Sequence, residues 1–277
     1  MAITTLDGLF AGLRPTQEFN KVITPTLVVG RPASLWALGG NPAAGSFDAT
    51  LNGVVLSSSS TIPNGAIPHF DPSSGNSYLA YLGAQSSAAG GSLLLLDRLW
   101  HNGGITATST SAQNITSPTW PSRNPTSGID DTPTTTGVGV LLAVEISAVM
   151  GAAVPTITIS YTNSAGTSGR TATNILAVTS ASPAGCTYWI GLQAGDLGVR
   201  SVQSVTLSVS WVSGTMNLVA YRRIASLPLL AGIPNAIDSL TGAGQRLYNG
   251  VVPWMVFVPG ATTATLIQSG TYIESQG

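Results

Sequence analysis

Charge is what this sequence has least of. Asp, Glu, Lys and Arg make up 8% of its 277 residues, against about 25% in an average soluble domain. Lysine occurs once, at Lys21, and the remaining basic residues are arginines, adjacent only at Arg222-Arg223. With a net charge of −1 and no basic stripe, the electrostatic footprint of a nucleic-acid binder is excluded. So uncharged a surface solubilises a free monomer poorly. It suits a chain covered by neighbours, because interface centres are depleted of Lys, Glu and Asp. The first expectation is an assembly component. The alternative is a soluble secreted β-protein with a Ser/Thr surface.

Catalytic material is equally sparse. The two histidines are His69, in "PHFDP", and His101, in "LWHNGG". A Ser-His-Asp site can be written on paper from His69, Asp71 and a serine, but the Gly-x-Ser-x-Gly elbow is missing. The adjacent acids Asp130-Asp131 stand in a Pro/Thr/Gly stretch and read as a solvated turn rather than a cation site. Lys21 lies in "FNKV", so no phosphate loop exists, and "GVGVLL" lacks the third glycine of a dinucleotide fingerprint. Eleven acids leave few partners for a glycosidase carboxylate pair. The expectation is a non-enzyme with no catalytic residue, cofactor or metal.

One cysteine, Cys186, excludes an intrachain disulfide and reads as a small buried residue beside Tyr188 and Trp189. No window reaches 18 apolar residues, so no membrane-spanning segment is expected. "MAITTLDGLFAGLRP" has neither a basic segment nor a long apolar core, so synthesis in a cytoplasm without export is expected. That leaves the "NIT" sequon at Asn114 without meaning.

Turn residues are plentiful, with 32 Gly and 17 Pro. Between them runs a strand grammar. In "TITISYTNSAGTSGRTATNIL" Ile157, Ile159 and Tyr161 alternate with Thr158, Ser160 and Thr162, and a Gly-containing turn leads into a second Thr-rich run. In "VQSVTLSVSWVSGT" Val205, Leu207, Val209 and Trp211 alternate with Thr206, Ser208 and Ser210. Period-two alternation bounded by turns predicts a half-buried antiparallel sheet with those four residues inward.

The fold expected is therefore mainly β. It is an antiparallel β-sandwich or jelly-roll-like arrangement with a short N-terminal helix or arm. Residues 1–40 read as helix plus extended arm, or alternatively as an ordinary first strand of the same domain, 41–136 as a loop-rich β region and 137–225 as the sandwich core. Residues 226–277 read as C-terminal strands and a short helix near Asn235–Leu240, completing the fold or contacting neighbours. Leu6, Leu9, Phe10 and Leu13 have helical spacing, a threonine can cap, and Pro15 ends the run. "SLLLLDRLWHNGG" predicts a strand buried on both faces or a short helix. "VVPWMVFVPG", bracketed by Pro253 and Pro259, predicts an edge strand. The tract from Thr106 to Thr136 predicts an exposed loop or linker, with its Trp120 as an interface anchor. Trp189 and Trp211 predict core packing. The candidate interface residues are thus Leu6, Leu9, Phe10, Leu13 and Trp120.

"SLWALGGNP", "LLLLDRLWHNGGIT", "TITISYTNSAGTSGRTATN", "GLQAGDLGVRSVQSVTLS" and "MNLVAYRRIASLPL" together resemble structural proteins of tailed bacteriophages and prophages. The resemblance covers most of the chain and implies a virion component made in the bacterial host cytoplasm. It implies a head-associated decoration, minor capsid or vertex protein, with a neck, tail or receptor-binding protein as the alternative. A carbohydrate-binding β-sandwich module is a second alternative. The expected partners are further copies of the chain, as a trimer or ring, and other virion proteins such as the major capsid protein. Nucleic acid and membrane are not expected partners.

Overall fold

The computed structural model describes residues 3, 5–123, 134–175, 183–241 and 244–277. Asp130, Asp131 and Leu176 lie outside the described residues. Strands account for 47% of the described residues and helix for 2%, and the sheets are antiparallel. In chain order the elements are α1 (Leu6–Ala11), β1 (Gln17–Ile23), β2 (Ala33–Ser34), β3 (Gly40–Asn41), β4 (Val54–Val55), β5 (Ser77–Ser86), β6 (Gly91–His101), β7 (Ile105–Thr106), β8 (Gln113–Asn114) and β9 (Leu141–Ala148). There follow β10 (Thr156–Asn163), β11 (Arg170–Ile175), β12 (Thr187–Ile190), β13 (Val199–Leu207), β14 (Thr215–Leu229), β15 (Asn235–Asp238), β16 (Arg246–Leu247), β17 (Pro253–Pro259) and β18 (Leu266–Gln276).

The chain divides into two compact units, each assembled from separate stretches. One comprises Met1–Ser46, Ser57–Asp97 and Arg223–Gly277; the other comprises Phe47–Leu56 and Arg98–Arg222. Residues 1–40 and 226–277 fall together in the first unit, and residues 41–136 are shared between the two.

In the second unit, strands in the order β11-β10-β13-β8 form one layer, and β12, β9 and the first half of β14 form the other. Ile157, Ile159 and Tyr161 of β10 and Val202, Val205 and Leu207 of β13 meet Leu142, Val144 and Ile146 of β9 and Leu218 and Ala220 of β14. All are buried, as two-residue alternation requires when one face of a sheet is covered. Trp100, Trp120 and Trp211 complete this core. Val209 does not join it and is 46% exposed. Strand β13 ends at Leu207, so the alternation no longer fixes which side residue 209 faces. Trp211 then returns inward, its amide bonded to the Ala107 carbonyl. Trp189 is half-buried against the Tyr221 ring, and Cys186 is buried.

The other unit is built around the sheet β15-β5-β18-β1-β3. Its inner face carries Phe19, Ile23, Leu79, Leu82, Ala84, Leu266 and Tyr272, packed on Leu93 and Leu95 of β6 and Met255 and Phe257 of β17.

Several expectations are corrected here. Residues 17–23 follow the alternative to an arm: they are a strand paired on both sides, by β18 and β3. Helix α1 folds onto its own unit. Gly12 accepts from the Gln276 amide, the Arg14 amide donates to Glu274, and a Cβ at Gly12 would lie 2.2 Å from the Gln276 carbonyl. Asn235–Asp238 is a strand on β5 rather than a helix, because its backbone partners are supplied by distant Tyr81–Ala84. Strand β17 is not an edge, since β6 and β2 pair with its two sides; its prolines stand at its two ends, where a missing donor is tolerated. The Thr106–Thr136 tract is not simply an exposed loop: Ile115, Trp120, Ser122 and Arg123 are buried.

Candidate functional site

The surface residues read from the sequence divide cleanly. Thr5 caps α1, its Oγ1 accepting from the Gly8 amide at 3.0 Å. The helix then turns its apolar side chains to solvent: Leu6 is 55%, Phe10 60% and Leu13 42% exposed. Leu9 is half-buried, and its carbonyl accepts from Ser275. Trp120 is no surface anchor. It is fully buried, 5.3 Å from the Trp100 ring centroid, with Nε1 donating to the Val199 carbonyl.

The outer face of β11-β10-β13-β8 carries hydroxyls. Cross-strand pairing sets Thr158 between Thr173 and Thr206, and Ser160 between Thr171 and Ser204. The register shifts after Ser160, leaving Gln203 as the extra residue of a bulge. Its amide joins the rows, accepting from Ser160 Oγ at 3.1 Å and from the Gly169 amide at 3.3 Å, and donating to Thr162 Oγ1. Charge enters at the hairpin's end. There Arg170, with help from Tyr161 and Asn163, holds the Asp196 carboxyl down at about 2.

The histidines sit in two buried polar clusters. His69 Nδ1 lies 2.7 Å from Glu274 Oε1, which also accepts from the Tyr272 hydroxyl at 2.6 Å. His69 Nε2 is 3.2 Å from Asp71 without hydrogen-bond alignment. Burial, with the neighbouring Glu274 charge, raises the Tyr272 phenol well above its ordinary range. In the other unit Arg98 Nη1 donates to Glu145 at 2.6 Å and Nε to His101 Nδ1 at 3.0 Å. Burial and then the Arg98 charge push His101 down to about 2, so it stays neutral. Both clusters bind their own members tightly. Among the described residues no group of three His, Cys, Asp or Glu could hold a metal ion, and no helix is long and apolar enough to cross a membrane.

The first of these units also carries a concave feature. An open groove of about 720 Å³ runs over the outer face of the β15-β5-β18-β1-β3 sheet. Its floor is two cross-strand rows, Glu18–Thr271–Gly83 and Asn20–Ser269–Gln85. Gly83 matters for its missing side chain: the Tyr81 phenol lies over it, and a Cβ there would come within 2.5 Å of the hydroxyl oxygen. Asn41 and Asn235 stand at the two sides. Sequence reasoning missed this groove. Its residues come from five separate stretches, and no local motif joins them.

No protein-family model matches the chain, and no curated protein matches it. Among solved structures it is similar to the VP2 subviral particle of infectious bursal disease virus, at 11% identity over 96% of this chain and 81% of that chain, with a TM-score of 0.18. It is similar to T=1 particles derived from the same virus, at 12% identity over 95% and 77%, with a TM-score of 0.18. It is also similar to the virus's Gt strain, at 12% identity over 95% and 82%, with a TM-score of 0.15. At such TM-scores the likeness carries no argument, and the fold stands on this chain's own strand pairing.

Proposed function

We propose that the chain is a non-enzymatic structural subunit of a virion, acting as a homo-oligomer in contact with other virion proteins. The observation that carries this reading is how little charge reaches the surface. The sequence is already poor in charge, and Lys21, Asp97, Arg98, Arg123, Glu145 and Glu274 are buried. What remains outside includes a sheet face of Thr and Ser and a helix with Leu6 and Phe10 in water. Covering such a surface with neighbours removes apolar area from solvent without desolvating ions. Subunits that bind only the folded chain also stabilise it by mass action. The resemblance to structural proteins of tailed bacteriophages favours that class, and within it the head over the neck or tail.

The test is sedimentation velocity of the full chain, followed by co-sedimentation with phage heads and with tails. A closed oligomer that sediments with heads is expected. Sedimentation with tails alone would move it to the neck or tail. A chain that stays monomeric at tens of micromolar and binds neither particle would overturn the reading.

A further inference from the structure

We propose that the groove on the β15-β5-β18-β1-β3 sheet is a binding site for a neutral oligosaccharide. Four observations converge on that ligand class. First, the side chains of Glu18, Asn20, Tyr81, Gln85, Ser269 and Thr271 line the groove, and none of them has a hydrogen-bond partner among the described residues. They are donors and acceptors with unspent capacity, aligned by strand pairing on one rigid surface. Second, among the described residues Glu18 is the one ionisable side chain there besides Tyr81, and no Lys or Arg lines the groove. A phosphate, sulfate or carboxylate ligand would meet no cation and one repelling carboxylate. Third, the Tyr81 ring is laid down over Gly83, giving an aromatic body beside a polar floor. A pyranose has matching chemistry, with C–H groups that pack on an aromatic ring and a rim of hydroxyls that pair with amides and carboxylates. Fourth, about 720 Å³ falls within the roughly 300–1,000 Å³ of small-ligand sites.

The same inventory says what the groove does with the sugar. Glycosidic hydrolysis uses two carboxyl groups across the scissile bond, and among the described residues Glu18 is the one lining carboxylate. The site therefore holds its ligand without cleaving it. Pre-organisation makes it usable: Asn41 Nδ2 is already spent on the Glu18 carbonyl at 2.6 Å, and Asn235 Nδ2 on the Pro228 carbonyl at 2.7 Å, so both sides are fixed before ligand arrives.

The experiment uses the full chain on an array of neutral and acidic glycans. Calorimetry follows with the best neutral trisaccharide or longer oligomer, and with its acidic counterpart. Binding of the neutral oligomer without hydrolysis is expected. Tyr81→Ala should weaken it about tenfold or more, a loss typical of an aromatic anchor. Thr271→Arg, which projects into the groove from a central strand, should abolish it with the melting temperature unchanged. No neutral glycan bound at several millimolar would overturn the proposal, as would binding indifferent to both substitutions or a preference for the acidic oligomer. If instead Thr271→Arg dissociated the oligomer of a chain that binds no sugar, the groove would be a subunit contact and the proposal refuted. The inference stands apart from the virion reading, since a chain that assembles but binds no glycan refutes this inference alone.

Discussion

Arg98 and Glu145 form a fully buried ion pair, with Nη1 2.6 Å from Oε2 and neither side chain exposed. Arg98 also holds His101 and lies 5.5 Å from the Phe47 ring centroid. Such a pair repays its desolvation only while both partners are present. Glu145→Gln keeps the shape and leaves a buried guanidinium charge uncompensated. It should cost about 3–5 kcal/mol. The double variant Arg98→Met, Glu145→Leu should recover most of that loss. Urea unfolding of the three proteins checks both statements, and a Glu145→Gln variant as stable as wild type would contradict the first.

Trp120 supplies the second prediction. A tryptophan anchoring a surface contact could be truncated with little effect on the isolated fold. Buried against Trp100 and bonded to the Val199 carbonyl, it instead leaves a large cavity. Trp120→Ala should cost about 3–5 kcal/mol, read as a lower denaturation midpoint in the unassembled chain.

Trp120 also marks where local pattern stops carrying information about burial. The inward set Ile157, Ile159, Tyr161, Val205 and Leu207 was legible because alternation is a local property that any half-covered sheet preserves. Val209 follows the same alternation and is exposed, because the pattern cannot say where strand pairing stops. Trp120 sits among Pro and Ser, and its burial is set by Trp100 and Val199, far along the chain. The stretch Asn235–Leu240 reads as a short helix, yet Asn235–Asp238 is a strand because β5 offers it partners. The groove is the extreme case. Asn20, Gln85 and Ser269 are neighbours solely through the registers of β1, β5 and β18, and strand registers between distant segments leave no mark in composition.

Lys21 gives a pH dependence of unusual sign. Its side chain is buried, with Nζ bonded to the Leu38 and Pro42 carbonyls, and burial lowers its pKa from 10.5 to about 8. Between those values the unfolded chain binds the proton and the folded chain does not, so stability rises with pH across that window. The slope for one group has a ceiling of about 1.4 kcal/mol per pH unit. Denaturation from pH 8 to 10.5 should show the rise in wild type and lose this contribution in Lys21→Met. Matching slopes in the two proteins would contradict the prediction.

The last prediction asks which part of the uncharged surface drives association. Two features compete, the hydroxyl rows around Thr158 and the apolar side chains of α1. Hydroxyls docking on a partner exchange water's hydrogen bonds for the partner's, with a small net gain. Leucine and phenylalanine leaving water gain roughly 25 cal/mol per Å², so the driving force should lie in Leu6 and Phe10. Truncating the N-terminus is a poor test, because a cut beyond residue 16 removes part of β1, a strand paired on both sides. Substitution is cleaner. Phe10 is 60% exposed, and the bonds that dock the helix run through Gly12, Arg14 and the Leu9 carbonyl. Phe10→Glu should therefore leave the fold within about 0.5 kcal/mol of wild type, as for an ordinary surface change. It should weaken self-association at least tenfold, about 1.4 kcal/mol. Thr206→Glu, on the hydroxyl face, should change association far less. Sedimentation equilibrium on the three proteins decides it: loss of the oligomer in Thr206→Glu but not in Phe10→Glu would move the contact from the helix to the sheet.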